Sequence, residues 1–141
     1  MALASFYGGL CLGPVNTAAV HALAYPLGGQ FHVAHGVSNA VLLPHVVRFN
    51  LSEAPERYAQ VAAALGVDGG PSEMARAERG AEFLFQLSKE CGIPQRLSEL
   101  GVPRDAIGQM ARGAMQVTRL LKNNLRPVTE EDAVRIYEAA Y

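Results

Sequence analysis

Three of the four histidines of this 141-residue chain, His21, His32 and His35, fall in the single stretch from Val20 to Asn39. Neutral imidazole is the commonest metal-ligating side chain, so this is where chemistry is to be sought first. His32 and His35 stand three apart, a spacing that would put both rings on one face of a helix. Pro26, Gly28 and Gly29 argue against a helix over 28–34, so that geometry is not secured by spacing. A catalytic metal needs three or four protein ligands with one position open, whereas a lone histidine is more often a packed or capping residue. On composition alone the cluster is a candidate metal site and no more.

The cluster lies inside a longer run, Met1 to Val47, that contains no Asp, Glu, Lys or Arg; all 12 basic and 13 acidic residues follow it. A segment with imidazoles and glycines but no charge is either buried core or the wall of a site. It lacks the positive start of a signal peptide. A membrane-spanning helix of ~20 residues would have to carry Gly8, Gly9, Gly13, Pro14 and Asn16, so no membrane role is expected and the run reads as helix buried within protein. The balanced charge and scattered Arg and Lys leave no footprint for nucleic acid. Cys11 and Cys91 stand far apart without a CxxC, which suits reduced core residues of a cytoplasmic protein better than a disulfide.

The elements that must position the histidines are all predicted to be helical. Ala2 to Leu12 forms the first, and Gly13-Pro14 ends it, with Pro14 opening a second over Val15 to Leu23. That helix is expected to stop near Tyr25, because Pro26 disfavours a helical residue before it. A third runs from His35 towards Phe49, with Pro44 expected to kink it or end it early. After Asn50 the pattern is amphipathic. Ser52 is the expected N-cap of a helix with the stripe Tyr58, Val61, Ala62 and Leu65. Asp68-Gly69-Gly70-Pro71 is a loop, and Ser72 caps a long helix with Met74, Ala77, Ala81, Leu84, Phe85, Ser88 and Cys91 on one side. Pro103 opens a helix carrying Ile107, Met110, Ala114 and Val117. Thr129 caps the last one, with Asp132 three residues on as a weaker version of the capping box. No alternating β-branched run occurs, so the fold class is all-α, one helical domain over residues 1–141.

The run from His21-Ala-Leu-Ala-Tyr-Pro-Leu-Gly-Gly through His35-Gly-Val-Ser-Asn-Ala-Val-Leu-Leu-Pro-His45 closely resembles the signature of the iron-containing, or group III, alcohol dehydrogenases. The likeness extends from Met1 to the closing Asn123-Asn124-Leu-Arg-Pro-Val-Thr-Glu-Glu-Asp. It implies a helical bundle like the carboxy-terminal domain of those enzymes, a dehydroquinate synthase-like α domain. It also implies a divalent metal, iron (Fe2+) or zinc (Zn2+), held by one aspartate and three histidines in a cleft between that domain and a nucleotide-binding α/β domain. The last two histidine ligands of the family are spaced as His21 and His35 are, which makes these two the metal ligands and leaves His32 and His45 with structural roles. Tyr25 departs from the pattern. Many members carry a histidine there, near the nicotinamide and the substrate. A phenol can hydrogen-bond a substrate oxygen, but with an unperturbed pKa of ~10 it is a poor proton shuttle. Tyr25 is therefore a candidate catalytic residue, with packing on the cleft wall as the competing reading.

The family's aspartate, its first histidine ligand and its glycine-rich phosphate loop would lie upstream of Met1. Neither Gly8-Gly9 nor Gly28-Gly29 follows a strand, so neither is such a loop. The resemblance thus implies the carboxy-terminal part of an NAD- or NADP-dependent enzyme that interconverts an alcohol and an aldehyde or ketone. Its partners would be a small alcohol or aldehyde substrate, the missing N-terminal nucleotide-binding domain and further copies in a homo-oligomer. Alone, this part is expected to be inactive. The competing reading is a stand-alone helical module that binds metal or protein without catalysis.

Overall fold

The computed structural model describes residues 2–141, and among them there is no strand. The helices are α1 (Ala2–Val15), α2 (Ala19–Phe31), α3 (His35–Asn50), α4 (Pro55–Ala64), α5 (Glu73–Glu90), α6 (Ile107–Met115), the single turn α7 (Thr118–Leu121) and α8 (Glu130–Ala139), with three short 3-10 turns between them. Among the described residues no helix is long and apolar enough to cross a membrane.

Several boundaries differ from those the sequence suggests, and α2 begins at Ala19 rather than Val15. Gly13 and Pro14 lie inside α1, and the break falls instead at Asn16, which adopts the left-handed φ of 65° and accepts a hydrogen bond from the Thr17 N–H on its side-chain oxygen at 2.8 Å. Asparagine tolerates that conformation better than most residues. α2 does not stop at Tyr25 either. It runs through Pro26, Gly28 and Gly29 to Phe31 and ends at His32, whose φ is 55°. Pro26 removes one backbone donor, yet it is buried, and its Cγ faces Gly113 of α6, where an added Cβ would sit 3.5 Å away. Tertiary packing overrides the local penalty.

Further along, Pro44 is accommodated within a continuous α3. Ser52 lies in a 3-10 turn rather than at an N-cap; α4 starts at Pro55, whose fixed φ suits the first helical position. Val61 is half exposed while Ala59 and Ala62 are buried, so the stripe of α4 is narrower than expected. Pro103 opens only a 3-10 turn over Arg104–Ala106, and α6 runs from Ile107 to Met115, so Val117 falls outside it. Two caps are as the sequence implies. The Ser72 hydroxyl accepts from Ala75 N–H at 3.1 Å, and Thr129 and Asp132 form a reciprocal capping box. Burial alone would raise the Asp132 carboxyl, but hydrogen bonds from the Thr129 backbone and hydroxyl and from Arg135 hold it below its usual value.

The main core joins α2, α3, α6 and α8 through Leu23, Leu27, Val41, Leu42, Val46, Met110, Ile136 and Tyr137. α4 and α5 pack closely on each other: a Cβ on Gly80 would come within 2.7 Å of the Ala62 methyl. They reach α3 through a smaller cluster of Leu51, Ala77 and Ala81. α1 buries nothing, and Leu3, Phe6, Tyr7, Leu10, Leu12 and Val15 are all exposed. The uncharged run therefore divides, with α2 and α3 forming core and α1 presenting bare apolar surface. Cys11 and Cys91 are free, but both are exposed rather than core, because α1 is uncovered and Cys91 sits on the turn that ends α5.

Candidate metal centre

His21 stands in the first turn of α2 and His35 is the first residue of α3. The three-residue link 32–34 redirects the chain so that their rings meet, with centroids 5.3 Å apart. Tyr25, one turn after His21, places its ring 6.3 Å from that of His35 and is 45% exposed. The structure thus gathers His21, Tyr25 and His35 on one surface, between half-buried and open. Burial first, and the neighbouring His35 second, hold the His21 imidazole below its usual value, which favours the neutral ring, the form with a lone pair to offer.

The other two histidines lie elsewhere. His32 is exposed and supplies the left-handed residue that closes α2. His45, later in α3, packs edge-on against Phe85 at 4.9 Å, and burial, followed by the Arg48 charge, pushes it down to about 4. Its Nε2 is buried without a partner.

Several long-range bonds fix the two site helices. Tyr137 of α8 donates its hydroxyl to the Leu23 carbonyl at 2.7 Å, and burial raises the phenol's pKa well above its usual value. Asn123 donates to the Thr17 carbonyl at 3.0 Å, just ahead of α2. Asn50, the last residue of α3, exchanges amide hydrogen bonds of 3.0 and 2.8 Å with Asn124. The Asn123-Asn124 pair therefore ties together the entrance of α2 and the exit of α3.

Asn39 borders the candidate site, and no motif in the sequence singles it out, although it stands one helical turn beyond His35, a spacing that places it beside the ring. Its Nδ2 donates to the His35 carbonyl at 2.8 Å and lies 3.1 Å from His35 Nε2, while its Oδ1 is buried without a partner. Next to His21 and Asn39 opens a mainly apolar groove of about 550 Å³, lined also by Val20, Leu43, Val47 and Tyr58. Among the described residues no group of three or more His, Cys, Asp or Glu side chains comes together. Two adjacent imidazoles suit a borderline ion such as zinc or ferrous iron, as two ligands of a larger set.

Over residues 1–141 the chain matches the family model for the Fe-containing alcohol dehydrogenase family, C-terminal. The chain belongs to that family. It is 42% identical to long-chain-alcohol dehydrogenase 1 of Geobacillus thermodenitrificans, over all of this chain and 36% of that enzyme. It is 39% identical to the 1,3-propanediol dehydrogenase of Citrobacter freundii, again over all of this chain and 36% of the relative. Among solved structures it is similar to the alcohol dehydrogenase from Oenococcus oeni, at a TM-score of 0.89 and 36% identity over 94% of this chain and 35% of that one. A 1,3-propanediol oxidoreductase gives a TM-score of 0.85 at 38% identity, over 89% of this chain and 33% of that one. The chain thus spans about a third of the length of these relatives.

Proposed function

We propose that the chain supplies two ligands, His21 and His35, to a divalent iron or zinc ion, and one wall of the substrate cleft, in an NAD(P)-dependent dehydrogenase that interconverts an alcohol and an aldehyde or ketone. The observation that carries this reading is the meeting of the two rings at 5.3 Å within a family named for iron. A metal bound there supplies a Lewis acid for the substrate oxygen. The chain's own residues do the rest of what this half can do. Burial and the neighbouring His35 favour the neutral form of His21, the form that can ligate. Tyr25 presents a phenol beside His35 that can hydrogen-bond the substrate oxygen and orient it. The apolar groove beside His21 can exclude water from an alkyl chain.

The remaining ligands and the grip on the dinucleotide are assigned to an N-terminal nucleotide-binding domain. The exposed apolar face of α1 supports this, because such surface marks contact with another body. Calorimetric titration with zinc tests the ligand assignment. The chain should bind weakly, His21→Ala and His35→Ala should each abolish binding, and His32→Ala should leave it intact. Loss with His32→Ala alone would overturn the reading.

A second reading, a helical module that binds metal or protein without catalysis, draws on the same bare helix and on the lack of a third ligand among the described residues. Fusing the chain to the N-terminal portion of the Citrobacter propanediol dehydrogenase separates the two. The dehydrogenase reading expects propanediol oxidation from the chimera, lost on His21→Ala, and the module reading expects none.

A further inference from the structure

Asn39 lies against a proposed ligand, and its amide can face that ring in only one way. The same nitrogen, Nδ2, points at the His35 carbonyl oxygen, 2.8 Å away, and at His35 Nε2, 3.1 Å away. A carbonyl oxygen only accepts, so the NH2 end of the amide must be the one turned to it; the flipped amide would set oxygen against oxygen. The flip is resisted even though Oδ1 stays buried and unpartnered on the other side. With the NH2 so placed, one hydrogen serves the carbonyl and the other is aimed at Nε2, which must then be an acceptor.

We infer that Asn39 is a positioning residue that selects the tautomer of His35, holding the ring with its proton on Nδ1 and its free lone pair on Nε2. Which imidazole nitrogen carries the proton is set by the hydrogen bonds the ring makes, and here the selecting bond comes from the same helix, one turn away. The consequence for metal binding rests on the function proposed above. Nε2 is the ligating atom, presented deprotonated beforehand, and the Asn39 N–H occupies its lone pair until an ion displaces it.

The test is nitrogen-15 NMR of the histidine side chains in the full 141-residue chain at about pH 9, well above the ordinary imidazole value of ~6.5. In the metal-free wild type, His35 should show a protonated Nδ1 and a bare Nε2. In Asn39→Ala the population should move towards Nε2–H. In Asn39→Asp, whose carboxylate can only accept, it should move further, to predominantly Nε2–H, while circular dichroism shows the helix content unchanged. A purely structural role for Asn39 does not predict opposite tautomers for Asn and Asp. An Nε2–H ring in the wild type, or one tautomer common to all three proteins, overturns the inference. Zinc added to the wild type should shift His35 Nε2 and leave the Nδ1 proton in place. If zinc moves neither nitrogen while the tautomers follow the expected order, the inference about Asn39 stands and the metal reading falls.

Discussion

The Tyr137 hydroxyl donates to the Leu23 carbonyl at 2.7 Å, across 114 residues of chain. The bond is fully buried and ties the last long helix to the helix that carries His21 and Tyr25, two residues either side of Leu23. Leu23 is flanked by Ala22, whose carbonyl has lost its helical donor to Pro26. α8 therefore braces α2 where its own ladder is weakest. Tyr137→Phe keeps the ring in the core but removes the donor. It should lower the unfolding free energy by about 1–2 kcal/mol, read as a lower urea midpoint at unchanged slope.

The α4–α5 contact makes a steric prediction. Gly80 lets the two helices approach until a Cβ would lie 2.7 Å from the Ala62 methyl and 3.3 Å from the Ala62 Cα. Helix propensity alone would make Gly80→Ala stabilising. The clash with a short, rigid neighbour should reverse the sign and cost about 1–3 kcal/mol by thermal or urea unfolding. Gly80→Ala combined with Ala62→Gly should recover part of that loss.

Protonation of His45 should weaken the fold. Its value falls from 6.5 to about 4 because burial, and then the Arg48 charge, disfavour the imidazolium. Since the folded value lies below the unfolded one, the unfolded chain takes up this proton first as pH falls. The stability is fully present above pH 6.5, declines between pH 6.5 and about 4, and is gone below. The loss attributable to this partly exposed ring should be about 1–2 kcal/mol. His45→Phe should flatten that part of the pH profile of the unfolding midpoint.

The exposed apolar residues of α1 should make the chain self-associate and bind a hydrophobic dye. Phe6→Lys with Leu10→Glu charges two side chains that are 60% and 57% exposed, in a helix with no buried residue. Dye binding should fall severalfold and sedimentation should shift towards monomer, with the unfolding midpoint changed by less than about 0.5 kcal/mol equivalent. An undiminished dye signal would place the sticky surface elsewhere.

Local rules acting over three to four residues are legible in the sequence. Ser72 and the Thr129–Asp132 box mark helix starts because their side chains bond amides only three residues away. The buried positions Ile107, Met110 and Ala114 of α6 follow from the helical period. The bundle class follows from the same periods, and the stretch around His21 and His35 carries enough of the family's pattern to name two candidate ligands.

What the sequence left open turns on contacts between segments distant in the chain. Pro26 looks like a stop signal, and only its burial beside Gly113 shows why α2 continues to Phe31. α1 and α2 are both uncharged and apolar, and nothing local says that one lies bare while the other fills the core. That depends on which faces the other helices already occupy. The approach of His21 to His35 likewise needed the direction of the 32–34 link, set by a left-handed His32 that no residue-type rule required. Asn39 shows the limit most plainly. Its spacing from His35 puts it beside the ring, but the end of the amide that faces Nε2 is decided by the His35 carbonyl in the folded helix, because a donor must meet an acceptor on both sides of one nitrogen.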